Sequence, residues 1–230
     1  MNSYFCTMDR RIIPTSDGTP TLYVPGLGEH YHSIHGARRE SEHIFIESAL
    51  DYFPGDPVRV LEFGFGTGLN ALLTLRRAKE TGRQIFYHAL EKYPLEAGEV
   101  GEVCSYFRGN HGEQQYLERI HSVPWGKQTV IDPYFSILKE QVDFRETVIT
   151  GGLYNVIYFD AFAPAVQPDL WSEEVFRKIH SATAPGGVLT TYSVKGSVRR
   201  NLQSAGFTVK KIEGPPGKRE ITRATKDSVE

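Results

Sequence analysis

The sequence predicts an α/β protein: a mostly parallel sheet covered by helices on both faces, with an antiparallel hairpin at its C-terminal end. Three observations predict it. Strand-like and helix-like stretches alternate from residue 58 onward, the pattern of crossover connections between parallel strands. Three glycines, Gly64, Gly66 and Gly68, fall in one strand-to-helix turn. Acidic residues close the apolar strands, where ligands of open α/β sheets bind.

In chain order, residues 11–25 read as two short strands around a turn at Ser16-Asp17-Gly18. Residues 26–36, rich in Gly, His and Tyr, read as a loop. A helix is expected over 37–53, with Phe45, Ala49 and Tyr52 at helical spacing, ended by Pro54-Gly55-Asp56-Pro57. Strands then fit at 58–63, 84–91, 128–138, 155–160 and 187–192. Helices fit at 69–81, closed by Gly82, and at 94–106, 112–120, 172–183 and 197–205. The tail reads as two strands, 207–212 and 219–225, joined by Glu213-Gly214-Pro215-Pro216-Gly217-Lys218, a connection short enough for a hairpin. The expected division is an N-terminal extension over 1–54, acting as an active-site lid, and a Rossmann-like domain over 55–230.

Composition narrows the function classes. The 230 residues are 40% hydrophobic and 23% charged, a globular balance, and hold no apolar stretch long enough to span a membrane. The start of the chain has Asp9, Arg10 and Arg11 and no apolar signal core. The two cysteines, Cys6 and Cys104, form no motif, so a reduced, cytoplasmic protein is expected. The net charge of −2 argues against a general nucleic-acid coating protein. Yet residues 195–226 hold nine basic side chains against two acidic ones, a local excess suited to an anionic partner.

The chemistry gathers at strand ends. In Glu62-Phe63-Gly64-Phe65-Gly66-Thr67-Gly68-Leu69-Asn70 the glycines let the backbone bend and approach a ligand at a helix N-terminus. The Gly-x-Gly-x-Gly spacing resembles the first loop of S-adenosylmethionine (SAM) dependent methyltransferases, and Leu69 stands where a dinucleotide fingerprint needs its third glycine. Glu91, about twenty residues on, is placed to grip ribose hydroxyls. Asp160 ends an apolar strand, where a carboxylate is costly to bury without a task. Followed by Ala161-Phe162-Ala163-Pro164, it resembles the Asp/Asn-Pro-Pro-aromatic loop of amino-group methyltransferases. There Asp160 would orient an amine, Phe162 would stack on a base and Pro164 would stiffen the loop. Lys195, Arg199, Arg200, Lys218 and Arg219 are candidate phosphate contacts. The segment Glu29-His30-Tyr31-His32-Ser33-Ile34-His35 has metal-ligand residue types but is read as a lid, with Tyr31 and His32 for the substrate base and no metal.

Longer stretches resemble one family, the methyltransferase domain of the bacterial tRNA wobble-uridine modification protein MnmC in its stand-alone, MnmD-like form. They are Gly36-Ala37-Arg38-Arg39-Glu40-Ser41, the glycine loop, Glu91-Lys92-Tyr93-Pro94-Leu95, Tyr158-Phe159-Asp160-Ala161-Phe162-Ala163-Pro164, Thr190-Thr191-Tyr192-Ser193 and Gly214-Pro215-Pro216-Gly217-Lys218-Arg219-Glu220. The resemblance implies a seven-stranded class I methyltransferase fold. It implies conversion of 5-aminomethyl-(2-thio)uridine at tRNA position 34 to the methylaminomethyl form, with SAM as cofactor. Around the cofactor it implies Glu62, Gly64, Phe65, Gly66, Thr67, Gly68, Asn70, Glu91, Lys92, Asp143 and Asp160, with Asp160 and Phe162 catalytic. The FAD-dependent oxidase of two-domain relatives is not expected here. Two other functions stay open at this level: a methyltransferase or aminopropyltransferase of a small free amine, and a non-catalytic RNA-binding module with the same fold.

Overall fold

In a computed structural model, residues 9–147, 149 and 151–228 are described; Cys6 lies outside them. The chain opens with β1 (Arg11–Pro14), β2 (Pro20–Val24) and β3 (Glu29–His30), a small antiparallel sheet. Next come α1 (Ala37–Ser41), which continues as a π-helical segment over Glu42–Leu50, then β4 (Val58–Phe63), α2 (Leu69–Thr81) and β5 (Ile85–Glu91). After these run α3 (Ala97–Ser105), α4 (His111–Ser122), β6 (Thr129–Asp132), β7 (Phe135–Gln141) and β8 (Tyr154–Phe159). A 3-10 turn (Pro168–Trp171) leads into α5 (Glu173–Ala182), β9 (Thr183–Thr191), α6 (Gly196–Ser204), β10 (Thr208–Glu213) and β11 (Glu220–Thr225).

The main sheet has the order β10-β11-β9-β8-β4-β5-β7-β6. Strands β7, β5, β4, β8 and β9 are parallel; β11 runs antiparallel to both β9 and β10. The expected alternation and C-terminal hairpin are therefore present. The strand count is corrected from seven to eight. Residues 128–138, expected as one strand, turn back on themselves: Asp132 accepts the Tyr134 N–H on Oδ1 at 3.1 Å, and β6 pairs antiparallel to β7. Pro133 cannot donate to a ladder, which favours reversal there. Val130 on this edge strand is 63% exposed.

The helix expected over 37–53 stops at Leu50. Its π-helical turns show in the Asp51 N–H, which donates to Ile46 O, five residues back, at 2.8 Å. The wider turns change which residues share a face. Phe45 and Ala49 reach the core as expected, but Tyr52 is 48% exposed and takes the Arg223 guanidinium over its ring at 3.7 Å.

Two apolar layers sandwich the sheet, and strand alternation decides which residue joins which. Val58 and Val60 of β4, with Val156 and Tyr158 of β8, face α2 and the π-helical segment. Leu61, Phe63, Ile157 and Phe159 face the layer of Trp171, Phe176 and Leu202. The same period puts Glu62 on the α2 side. In the β4/β8 register Glu62 pairs with Tyr158 and Phe63 with Phe159, so the chain leaves both strands side by side at Gly64 and Asp160. Strand order reverses about this point, where ligands of such sheets bind.

Arg83 fastens the segment before β4 to the start of β5. Its guanidinium donates to the carbonyls of Leu50 (3.0 Å), Phe53 (2.8 Å) and Gly55 (2.6 Å). Arg83→Ala is expected to destabilise the fold by about 2 kcal/mol in chemical denaturation, because three carbonyls lose a charged donor. Arg83→Lys is expected to recover only part, since an ammonium lacks the planar fork.

Candidate active site

A cavity of about 850 Å³ lies beyond the carboxyl ends of β4, β5 and β8. The glycine loop forms one wall. Gly64, Gly66 and Gly68 have φ of 92°, 50° and 75°, a region that side-chain-bearing residues avoid. A Cβ on Gly64 would lie 2.6 Å from the Asp160 carbonyl, and one on Gly66 would lie 2.9 Å from the Tyr31 ring. Backbone therefore stands where a side chain would fill the space at the cavity wall.

Two polar groups brace the loop. The Gly66 N–H donates to Glu91 Oε2 at 3.1 Å, while Glu91 Oε1 accepts the Tyr93 N–H at 2.8 Å. Behind the loop, His121 Nε2 lies 2.9 Å from the Thr67 carbonyl. Burial pushes the His121 imidazole down to about 4, so it is neutral and donates this bond. Lys139, which is 1% exposed, donates to the His121 carbonyl at 2.7 Å beneath the Phe65 and Trp125 rings. Burial draws its ammonium down to about 8.

The opposite wall carries the carboxylates. Asp160 follows β8, and its N–H donates to Phe63 O at 3.0 Å. Asn70 Nδ2, on the first turn of α2, donates to Asp160 Oδ2 (3.0 Å) and to Glu62 Oε1 (2.9 Å). Glu62 is fully buried, which raises its carboxyl well above the usual range. Burial also pushes Asp160 up to about 6, against the pull of His32, Asn70 and Lys218. Further along the cavity, Asp143 is held far below the usual carboxylate range by Arg145 and then Lys92, at 2.5 and 2.8 Å.

The cover comes from the N-terminal segment and the C-terminal hairpin. The Tyr31 and Phe162 rings meet edge-on at 5.0 Å. The Phe162 carbonyl accepts the Trp171 Nε1–H at 2.8 Å, and the Ala161 carbonyl accepts the Tyr192 hydroxyl at 2.8 Å. Lys218 pairs with Glu40 and lies 4.7 Å above the Tyr192 ring centre. His30 stacks on Tyr23, whereas His32 faces Asp160.

Of the residues singled out in the sequence, Tyr31, His32, Gly64, Phe65, Gly66, Glu91, Lys92, Asp143, Asp160, Phe162 and Lys218 line the cavity. Glu62, Thr67, Gly68 and Asn70 stand directly behind it. Pro164, Lys195, Arg199, Arg200 and Arg219 do not line it; Lys195, Arg200 and Arg219 are exposed on the surface. Sequence reasoning gave no role to Glu40, Tyr192 or Arg145 and passed over His121 and Lys139. Only the family-like blocks around Glu40 and Tyr192 carried a signal.

A family model for S-adenosyl-L-methionine-dependent methyltransferases matches residues 118–227. Among curated proteins, the chain is similar to the tRNA 5-methylaminomethyl-2-thiouridine biosynthesis bifunctional protein MnmC of Delftia acidovorans, at 30% identity over 92% of this chain and 34% of that protein. The Paracidovorax citrulli protein of the same name is 29% identical, with the same coverage of both chains. The chain thus spans about a third of the length of these relatives. Among solved structures it is similar to MnmC2 from Aquifex aeolicus, with a TM-score of 0.74, 25% identity, and coverage of 97% of this chain and 72% of that one. Spermidine synthase from Thermotoga maritima, with a TM-score of 0.56, 16% identity and coverage of 96% and 70%, shares the fold. With its glycine loop set over the cavity, this chain is similar to S-adenosyl-L-methionine-dependent methyltransferases over residues 118–227 and, along most of its own length, to a third of MnmC.

Proposed function

We propose that this chain methylates the exocyclic amine of 5-aminomethyl-(2-thio)uridine at the wobble position of tRNA, in the cytoplasm. The observation that carries the reading is Asp160: a buried carboxylate at the switch point, aimed into a cavity between the glycine loop and the Tyr31–Phe162 pair. Residues 55–230 act as the methyltransferase domain and residues 1–54 as its cover.

The residues present fit SAM. Backbone at Gly64 and Gly66 would admit the methionine end, Glu91 would hold the ribose, and Asp143 with Phe144 would hold the adenine. When bound, SAM supplies an electrophilic methyl group on a sulfonium. The chain's own residues position the acceptor. Asp160 draws in an ammonium and orients its N–H groups, and the edge-on aromatic pair accepts a base. The enclosing walls exclude water and strengthen each charge interaction. Outside, the exposed cations of the β10–β11 edge and α6 meet the phosphates of a polyanion. That basic surface favours RNA over a small free amine as the acceptor.

Three outcomes test the reading. Gly66→Val is expected to abolish measurable SAM binding by calorimetry while the melting curve shows a folded protein, since the side chain would meet Tyr31; retained affinity places the cofactor elsewhere.

Asp160→Asn is expected to lower single-turnover methylation of aminomethyluridine-bearing tRNA on the order of a hundredfold. The wild-type rate should rise as Asp160 ionises through about pH 6, and the variant should lack that limb. The stability sign follows from a folded-state value above the ordinary 3.8. The folded protein holds this proton between those pH values and the unfolded chain does not, so the contribution to stability falls over that window and is flat above it. The variant should therefore melt at or above the wild-type temperature at pH 8. Near-normal turnover in it would remove Asp160 from the chemistry.

Replacing Lys195, Arg200 and Arg219 together is expected to weaken tRNA binding and reduce its salt slope by about one for each phosphate no longer neutralised. SAM affinity should stay the same. An unchanged slope would put the RNA on another face.

A further inference from the structure

His32 makes an arrangement that the reading above does not use. Its backbone is fixed from the small sheet: the His32 N–H donates to Thr21 Oγ1 at 2.9 Å, and that hydroxyl donates back to the His32 carbonyl at 3.4 Å. The ring then spans two walls of the cavity. Nε2 lies 3.5 Å from Thr67 Oγ1 on the glycine loop, and Nδ1 lies 3.8 Å from Asp160 Oδ2. Both side chains of this second pair are 8% exposed.

We propose that His32 is a proton-relay residue acting through Asp160, carrying away the proton that an acceptor ammonium must lose before it can attack. The inference rests on the amine-methyltransferase reading. Charge balance requires such a route. An ammonium and a sulfonium enter with two positive charges, and a methylated ammonium and a neutral thioether leave with one. One proton is therefore released in each turnover. The ammonium N–H bond breaks, its proton goes to the Asp160 carboxylate, and its electron pair stays on nitrogen. That pair forms the N–CH₃ bond as the S–CH₃ bond breaks, with the bonding electrons left on sulfur. In the tautomer that donates Nε2–H to the Thr67 hydroxyl, Nδ1 is the free base of the imidazole and faces Asp160 Oδ2. It takes the proton from the carboxyl group, and the imidazolium releases it to water at the cavity mouth.

The other groups facing Asp160 are poorly suited to this task. Asn70 presents an N–H to it. Glu40 is occupied by the Ser33 N–H and by Lys218, which is itself a cation. Tyr192 gives its hydroxyl proton to the Ala161 carbonyl, and Glu62 lies behind Asn70. An imidazole can both accept and release a proton near neutral pH.

The test uses the full chain with His32→Gln, checked for folding by its melting curve. In protein carrying ¹³C-labelled aspartate, the Asp160 carboxyl signal is assigned by its loss in Asp160→Asn and titrated without tRNA. The expected result is an upward move of its midpoint in His32→Gln by about half a unit or more, since in the wild type the carboxyl proton can pass to the ring and the imidazolium so formed favours the carboxylate. An unmoved midpoint overturns the proposal, whatever the substrate proves to be. In single-turnover methylation of aminomethyluridine-bearing tRNA, His32→Gln is expected to lose about tenfold or more at pH 6.5. The deficit should narrow towards pH 9 and be partly relieved by added imidazole, with SAM affinity within about twofold of wild type. A deficit that is equal at every pH and insensitive to imidazole overturns the relay in favour of a structural role. A wild-type protein that leaves this tRNA unmethylated overturns the proposed acceptor, while the carboxyl titration still decides the coupling.

Discussion

A single amide nitrogen holds together the two carboxylates on which this site depends. Asn70 Nδ2 donates to both Glu62 and Asp160. Two carboxylates buried this close cannot both ionise cheaply. Glu62, sealed inside the sheet, is pushed well above the ordinary range by burial, which favours its neutral form and favours the charge on Asp160 at the cavity. Neither strand nor helix alone could arrange this. Strand alternation turns Glu62 towards α2, the β4/β8 register sets Asp160 beside Gly64, and the left-handed turn at Gly68 starts α2 where Asn70 can reach both acids.

The scaffold of this arrangement was legible in the sequence because it is written in local patterns. Alternating apolar periods announced β4, α2, β5 and β8, and the glycines announced the turn. Carboxylates at strand ends announced Glu91 and Asp160. Features set by long-range contact were not legible. Nothing around His121 or Lys139 marks them as supports of the glycine loop, because their partners lie 54 and 18 residues away. Arg145 is a local case: the turn at 144–146 curls its guanidinium back onto Asp143, two residues away. Charge counting likewise treated the basic tail as one surface, whereas Lys218 turns inward to Glu40 and its neighbour Arg219 stays outside.

Backbone irregularity was the other blind spot. A π-helical turn and a reversal at Pro133 each change which residues share a face over only a short stretch, too few residues for the apolar pattern along the chain to reveal them. Their effects differ. The reversal adds an edge strand far from the cavity. The π-helical segment moves Tyr52 to the surface beside Arg223, where it adds an aromatic face to the basic side of the molecule.

Glu40 and Lys218 are 178 residues apart in sequence yet close over the cavity from opposite sides. With Tyr31 and His32 they line the cavity that holds Asp160. This is a topological restriction on a polymeric acceptor. A strand threaded past Asp160 would have to part this ion pair, whereas a single unit swung out from its neighbours would not. For the proposed acceptor, a stacked anticodon base would first have to give up its stacking, so its own local looseness would become part of what the site selects.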